Sequence, residues 1–443
     1  MQKKLFQKLA AIAVLSLLLL IPLSLIEGQI AGRSARQAQV MRNIAESAAG
    51  AQILIGPVLA VRYRERVERR GKDEAGGRET IHHEIVTRTE VLPPQRLDIG
   101  GEARVETRSR GLYRARLYHL ALQIAGKAVV PPGLGLTSLR NIVDAHAILV
   151  LGVADPRGVD NDPEVSVNGR VHRFATGTFG VVAGQGVHVP LGPIDLATGG
   201  TFEFALPLNL TGSERLAIAP AGNATTVTLK SDWPHPSFQG RFLPTTRTVS
   251  AAGFEARWQV SHIARSFDRV LKSGEANPSG ETLDISFMEP VNVYLKSERA
   301  VKYGLLFVVL TFAAFFLTEV LRRLAIHPLQ YLLVGLALAI FFLLLIALSE
   351  HLSFALAYSI SAAACVTLIA TYLAGALGSR LRGAAFGAGI AALYGVLYGV
   401  LLSEDNALLM GALLLFAALG ASMLATRRID WYGIGSGAAE GQL

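Results

Sequence analysis

The chain of 443 residues has a single cysteine, Cys365, and it sits inside an apolar run. No intrachain disulfide can form, and no thiolate metal cluster either. A Gly-x-Ser-x-Gly elbow, a His-Glu-x-x-His pair, a Walker loop and a dinucleotide fingerprint are also missing. The hydrolase, zinc-protease and nucleotide chemistries therefore have no motif to stand on, and neither cofactor nor metal is expected. Charge is scarce where an ion-coupled pump would need it. No ionisable residue falls at the centre of any long apolar run, since Lys302 and Glu319 lie near run ends, where long side chains can snorkel. A basic stripe interleaved with aromatics is lacking too. Arg62, Arg64, Arg66, Arg69 and Arg70 come nearest, but Glu65, Glu68, Asp73 and Glu74 dilute them, which argues against nucleic acid.

The layout of apolar residues carries the most information. One run, Leu9 to Ile26, opens the chain, and five more crowd into its last third. At about 1.5 Å per residue the first spans roughly 27 Å, close to the thickness of a bilayer core. Lys3, Lys4 and Lys8 precede it and Glu27 follows, as for a retained anchor with its N-terminus in the cytoplasm. A cleaved signal peptide would have a shorter core and a small-x-small exit, in place of Leu25-Ile26-Glu27-Gly28. The later runs are 301–320, 328–348, 354–374, 385–402 and 407–425. Their ends alternate: Arg322 and Arg323, Glu350 and His351, Arg380 and Arg382, Glu404 and Asp405, Arg427 and Arg428. Every basic end then falls inside and every acidic end outside.

The organisation expected is an anchor over residues 1–26, a water-exposed domain over 27–300, a five-helix bundle over 301–426 and a cytoplasmic tail over 427–443. The middle stretch holds 32 of the 42 Lys/Arg and 28 of the 34 Asp/Glu, so it is nearly balanced. Residues 34–50 carry a helical pattern, with Ala38, Met41, Ala45 and Ala48 on one face. After Gly50 the period changes to two. Strands are expected at 80–91, 103–109, 112–126, 146–153, 164–173, 186–191, 201–210, 214–219 and 224–231, with a hairpin turn near Arg70 to Arg78. The clearest alternation is Phe254, Ala256, Trp258 and Val260 against Glu255, Arg257, Gln259 and Ser261. The fold class is thus six transmembrane helices, one plus five, with a large, mostly antiparallel, sandwich-like β domain.

Three groups of residues stand out as candidate sites. Asp232-Trp233-Pro234-His235-Pro236-Ser237-Phe238 is stiffened by two prolines, which also restrict the residues before them. It reads either as a rigid corner with a buried Trp, or as a contact surface built on Trp233, His235 and Phe238. Ala391, Gly395 and Gly399 recur every four positions and Gly383 and Gly387 sit four apart, the spacing of close helix packing in lipid. Glu350 and His351 mark the turn between the third and fourth spans. Weaker signals are His82-His83-Glu84, whose neighbouring histidines point to opposite strand faces, and Asp160-Asn161-Asp162-Pro163-Glu164. The latter has Val165 and Val171 where a calcium loop needs Gly and Glu. Asp144 and His146 share a strand face without a partnered nucleophile.

Several long, oddly composed segments make the chain resemble the CreD family of bacterial inner-membrane proteins. They are Gly184-Gln185-Gly186-Val187-His188-Val189-Pro190-Leu191, then Trp233 to Phe238 with Gly240 and Phe242-Leu243-Pro244, His327 to Gly335, Leu348-Ser349-Glu350-His351 and Ile429-Asp430-Trp431-Tyr432. The resemblance implies the bacterial inner membrane, a periplasmic middle domain and a part in cell-envelope integrity or envelope stress. Family members are described as altering envelope traits and colicin tolerance, some of them under a carbon-source-responsive two-component system. It carries no catalytic residue onto this chain. The function expected is support of the envelope through protein or lipid contacts, without catalysis, with the lipid bilayer and other envelope proteins as partners. The alternatives are a transporter or channel subunit for an uncharged or weakly charged molecule, and an envelope enzyme using His188, His235 or Glu350-His351.

Overall fold

The computed structural model describes residues 2–72, 79–160, 162–264, 281–287, 293–322, 326–403 and 407–427. The expected turn at 73–78, Asn161, Arg323, Glu404 and Asp405, and the tail from Arg428 onward with Ile429 to Tyr432 lie outside them. The chain divides into two compact units, Met1–Ala38 with Val291–Leu443, and Gln39–Pro290. These boundaries differ from the 26/27 and 300/301 expected from where the apolar runs stop. A helix does not end when its sequence turns polar, and here helical backbone continues past Glu27 and resumes before Val301.

In the first unit, α1 (Gln2–Leu18) and α2 (Leu20–Ser47) join through Leu19, whose N–H bonds the Leu15 carbonyl at 3.0 Å. Leu19, Leu23, Ile26 and Ile30 are buried, an i, i+4, i+7, i+11 stripe along one helix face. The first apolar run is therefore a packed member of the bundle. The expected second span is broken: α3 (Val293–Lys302) and α4 (Gly304–Arg322) meet at Tyr303 with a 41° bend. Then follow α5 (Pro328–Ser349), α6 (Phe354–Ala376), α7 (Arg380–Leu402) and α8 (Ala407–Thr426). Among the described residues four helices are long and apolar enough to cross a membrane, Phe6–Ala45, α5, α6 and α7, and the bent pair makes five if it is one span. In α8 the described apolar stretch is the shorter Leu409–Leu424. Residues Arg380 and Arg382 belong to the first turn of α7, not to a linker before it.

The second unit is two β-sheets around one core. The eight-stranded sheet runs β14 (Ser237–Gly240), β17 (Leu283–Ser286), β12 (Arg215–Ala219), β1 (Gln52–Lys72), β5 (Ile142–Val153), β10 (Gly186–Pro193), β9 (Ala175–Thr176), with β2 (Glu79–Leu92) paired to β1. The nine-stranded sheet runs β15 (Thr246–Ser250), β16 (Gly253–Ser261), β13 (Ala224–Ser231), β3 (Arg96–Arg110), β4 (Tyr113–Val130), β11 (Gly200–Ser213), β7 (Glu164–Val167), β8 (Arg170–Arg173), with β6 (Val159–Asp160) paired to β11. Among the described residues the pairings are antiparallel except β1 with β12 and β13 with β3. The sheets are thus mixed, because the chain passes repeatedly from one to the other. The single strand expected over 164–173 is a hairpin. Asn168 and Gly169 take φ of 49° and 78°, the left-handed pair that closes a two-residue turn.

Burial follows the alternation where one strand face is wet. In β16, Phe254, Ala256, Trp258 and Val260 are buried and Glu255, Arg257 and Gln259 are exposed. Central β5 is buried continuously from Ala147 to Val153, so no alternation marks it. Trp258 is 1% exposed, and its indole N–H donates to the Phe242 carbonyl at 3.2 Å. The buried tyrosine of β4, Tyr118, donates its hydroxyl to the Arg215 carbonyl at 2.9 Å and stacks 4.8 Å from Phe287.

Candidate functional site

The proline-rich segment carries the chain from β13 in one sheet to β14 in the other. Its first two residues are tied down. Asp232 Oδ1 accepts the Val105 N–H at 3.0 Å, and the Trp233 N–H donates to Ser231 Oγ at 3.2 Å. The Trp233 indole N–H donates to the His235 carbonyl at 2.8 Å, across Pro234. Of the three candidate contact residues, Phe238 points into the core margin, 5.5 Å from Phe254 and 5.8 Å from Trp258. Trp233 is half-buried, with the Arg116 guanidinium 5.0 Å from its ring, and His235 is exposed. Gly240 follows with φ of 84°, where a Cβ would strike the Thr282 carbonyl.

In the helical unit, the α5–α6 turn places Glu350 against the first long helix. Arg33 Nη1 donates to Glu350 Oε1 and Oε2 at 3.0 and 3.1 Å, and the Tyr294 hydroxyl of α3 donates to Oε1 at 3.2 Å. The neighbouring His351 is exposed and takes no part in these bonds. A second ion pair, Lys8 with Glu319, ties α1 to α4. Glu319 does not snorkel as its position suggested. It is buried and also accepts the Tyr331 hydroxyl at 3.0 Å and the Ile326 N–H at 3.3 Å. Lys8 and Arg33 are 25 residues apart on a nearly continuous helix. At about 1.5 Å per residue that is ~38 Å, more than a bilayer core of about 30 Å. The two ion pairs can therefore bracket the apolar layer.

Between these ends the interior is aromatic. Phe341 lies 4.4 Å from Tyr394 and 5.3 Å from Tyr358, and Phe307 lies 5.7 Å from Tyr394. The Tyr358 hydroxyl donates to the Tyr394 carbonyl at 2.6 Å, the Tyr394 hydroxyl to Cys365 Sγ at 3.2 Å, and the Cys365 thiol to the Ala337 carbonyl at 3.3 Å. The lone cysteine is thus one link in a chain of bonds joining α5, α6 and α7.

The small residues divide into two sets. Gly383 and Gly387 lie against α6: a Cβ on Gly383 would come within 2.7 Å of the Ala370 carbonyl and of Ala374, and one on Gly387 within 2.8 Å of Ala370 Cβ. Ala391 and Gly395 are exposed, nothing lies within 4 Å of a Cβ on Gly395, and Gly399 meets only the end of Met410 at 3.2 Å. Gly335 of α5 packs against Leu19 and Phe312. That contact was invisible in sequence, because its partner lies on a distant helix.

Other polar candidates are held by ordinary pairings. Asp144 accepts Arg64 Nε at 2.9 Å, a bond that holds its carboxyl below the usual range. His82 and His83 occupy successive, exposed positions of β2. One network escaped the sequence reading. His119 on β4 bridges Glu106 Oε2 at 3.2 Å and Thr211 Oγ1 at 3.0 Å, and Thr211 donates to Asp160 Oδ2 at 3.0 Å. Its members come from four strands, so no local spacing reveals it. His119 and Glu106 are each about half exposed on an open sheet face.

Residues 4–432 match the family model described as inner membrane protein CreD. The chain belongs to the CreD family. The inner membrane protein CreD of Escherichia coli strain K12 is 36% identical over 438 residues, covering 98% of this chain and 95% of that protein. Solved structures of an M1 zinc metallopeptidase from Deinococcus radiodurans overlap 38% of this chain at 15% identity, with TM-scores of 0.21 and 0.19. They cover 39% and 38% of that protein's chain, and scores so low carry no argument here. Segments that bear the CreD resemblance have structural tasks. At His327-Pro328-Leu329-Gln330, the His327 N–H donates to Gln330 Oε1 and the Leu329 N–H to His327 Nδ1, both at 3.2 Å, which caps α5. Leu348 to His351 forms the turn that presents Glu350.

Proposed function

We propose that this CreD-family chain is a non-catalytic support protein of the bacterial cell envelope, working through protein or lipid contacts from the inner membrane. Its two termini are cytoplasmic and residues 27–300 are periplasmic. One observation carries the reading: the helical unit has an interior of interlocked rings, Phe341, Tyr358, Tyr394 and Phe307, between an ion pair at each end. Such an interior suits a rigid platform. The test is proximity labelling from a fusion in the β unit, in cells. Recovery of a defined set of envelope proteins over an inert anchored control is expected; labelling indistinguishable from that control refutes it. Reporter fusions at residues 150 and 440 should report opposite sides of the membrane.

Transport of an uncharged polar molecule is the second reading. Thr311 Oγ1 and Ser361 Oγ are buried in the spans with no hydrogen-bond partner, as groups that await a solute would be. Uptake by vesicles reconstituted with the protein, lost on Ser361→Ala, would establish it.

A further inference from the structure

An exposed aromatic ring stands on the outer face of the eight-stranded sheet in a backbone conformation that aromatic residues avoid. Phe179 has φ of +53° and Gly180 +73°, and the Val181 N–H bonds the Thr178 carbonyl at 3.0 Å, the pattern of a type I′ turn. Asn, Asp or Gly normally fill the first of these positions. Yet Phe179 is 51% exposed, so burial does not explain its presence. The loop beneath is firmly set. Val181 and Val182 are buried, the Gly177 N–H bonds the Gly186 carbonyl at 2.9 Å, and His188 Nδ1 donates to the Gly177 carbonyl at 2.9 Å. The ring is held upright between the Arg62 guanidinium, 4.4 Å from its centroid, and the His188 imidazole, also at 4.4 Å.

Register identifies the surroundings. Arg62 faces His146 and Arg64 faces Asp144 across β1 and β5, so these side chains share the sheet face with Arg66. Across β1 and β2 the partners are Thr89, Thr87 and Ile85. Asp144 is already paired with Arg64; Arg62 and Arg66 add two positive charges and Glu68, the next position on this face, one negative, so the face is net basic. Ile85, opposite Arg66, is a second exposed apolar side chain there, at 53%. A guanidinium beside a rigid, half-exposed ring is the composition of protein-interface hot spots.

We propose that this face docks an acidic polypeptide segment, with Phe179 as its apolar anchor and Arg62 and Arg66 as its charge partners. The proposal rests on the contact-based reading above and names the partner's chemistry. The test uses the full chain in a neutral detergent, with a fluorescein-labelled peptide of Glu, Ser and Leu and its counterpart with Lys for Glu, read by fluorescence anisotropy. The acidic peptide should bind at least about tenfold more tightly than the basic one, and rising salt should weaken it. Phe179→Gly should weaken binding about tenfold without lowering the thermal midpoint, because glycine accepts the left-handed backbone. Arg62→Gln with Arg66→Gln should remove the salt dependence. Equal binding of the two peptides overturns the proposal. So does a lowered midpoint with unchanged binding in Phe179→Gly, which would make the ring structural. Binding to anionic lipid vesicles that these substitutions abolish, with no peptide bound, also overturns it and assigns the face to lipid. If peptide binding fails while proximity labelling still recovers partners, only this proposal falls.

Discussion

Glu350, in the turn between α5 and α6, accepts both oxygens' bonds from Arg33, more than three hundred residues earlier in the chain, at 3.0 and 3.1 Å. The carboxylate side chain is 7% exposed and the guanidinium 46%. Arg33→Gln, Glu350→Gln and the double variant form a thermodynamic cycle. A coupling of about 1 kcal/mol is expected, because one partner is half in water. Thermal midpoints in detergent supply the numbers, and additive single effects would show the pair to be idle.

Removing Lys8 should cost more than removing Arg33, because both carboxylates are shielded but the Lys8 side chain is 25% exposed against 46% for Arg33. Lys8→Met leaves the Glu319 carboxylate with Tyr331 and the Ile326 N–H but without its cation. A loss of roughly 3 kcal/mol is expected, largely restored by Glu319→Gln in the same chain. Failure of the second change to restore the thermal midpoint would mean the pair is not what holds α1.

Two glycines on one helix should respond unequally to the same methyl group. Gly383→Ala drives a Cβ toward the Ala370 carbonyl, 2.7 Å away, whereas Gly395→Ala meets nothing within 4 Å. The first should destabilise by about 1–3 kcal/mol and the second by less than ~0.5 kcal/mol. Equal losses would place Gly395 in an interface that the single chain does not contain.

Acid should loosen the start of the β unit through Asp155. Its carboxylate accepts Arg157 and the Gly50 N–H, and the Arg157 bond, aided by the Gly50 N–H, pushes its pKa down from 3.8 to about 2. A depressed folded value means the stabilisation is complete above the unfolded value of 3.8 and disappears as pH falls toward 2. Unfolding followed by circular dichroism between these limits should show that slope, and Asp155→Asn should flatten it. An unchanged slope would assign the acid sensitivity to other carboxylates.

Local pattern disclosed much of the fold. The alternation of Phe254 to Val260 reports a strand with one wet face, and Asn168-Gly169 could have revealed the hairpin that a single expected strand concealed. Central β5 offered only a greasy run, since both its faces are covered. The order of strands was out of reach. Gln52 pairs with Leu216 and Ala224 with Arg96, matches between segments with no shared local signal. The candidate residues show the same divide. The two prolines stand between β13 and β14, but only packing turned Phe238 inward and left His235 outside. A four-residue spacing nominated Ala391, Gly395 and Gly399 equally with Gly383 and Gly387, and the neighbouring helix chose the latter.

Solvent preference is written residue by residue, so composition alone separated the apolar helices from the β unit. Direction within an element is not written that way. Glu319 becomes a buried ion-pair partner because Lys8 and Tyr331 arrive beside it, and Phe179 becomes a displayed ring because Arg62 and His188 prop it up. Such roles depend on distances between residues far apart in the chain, and those exist only once the helices and sheets have packed.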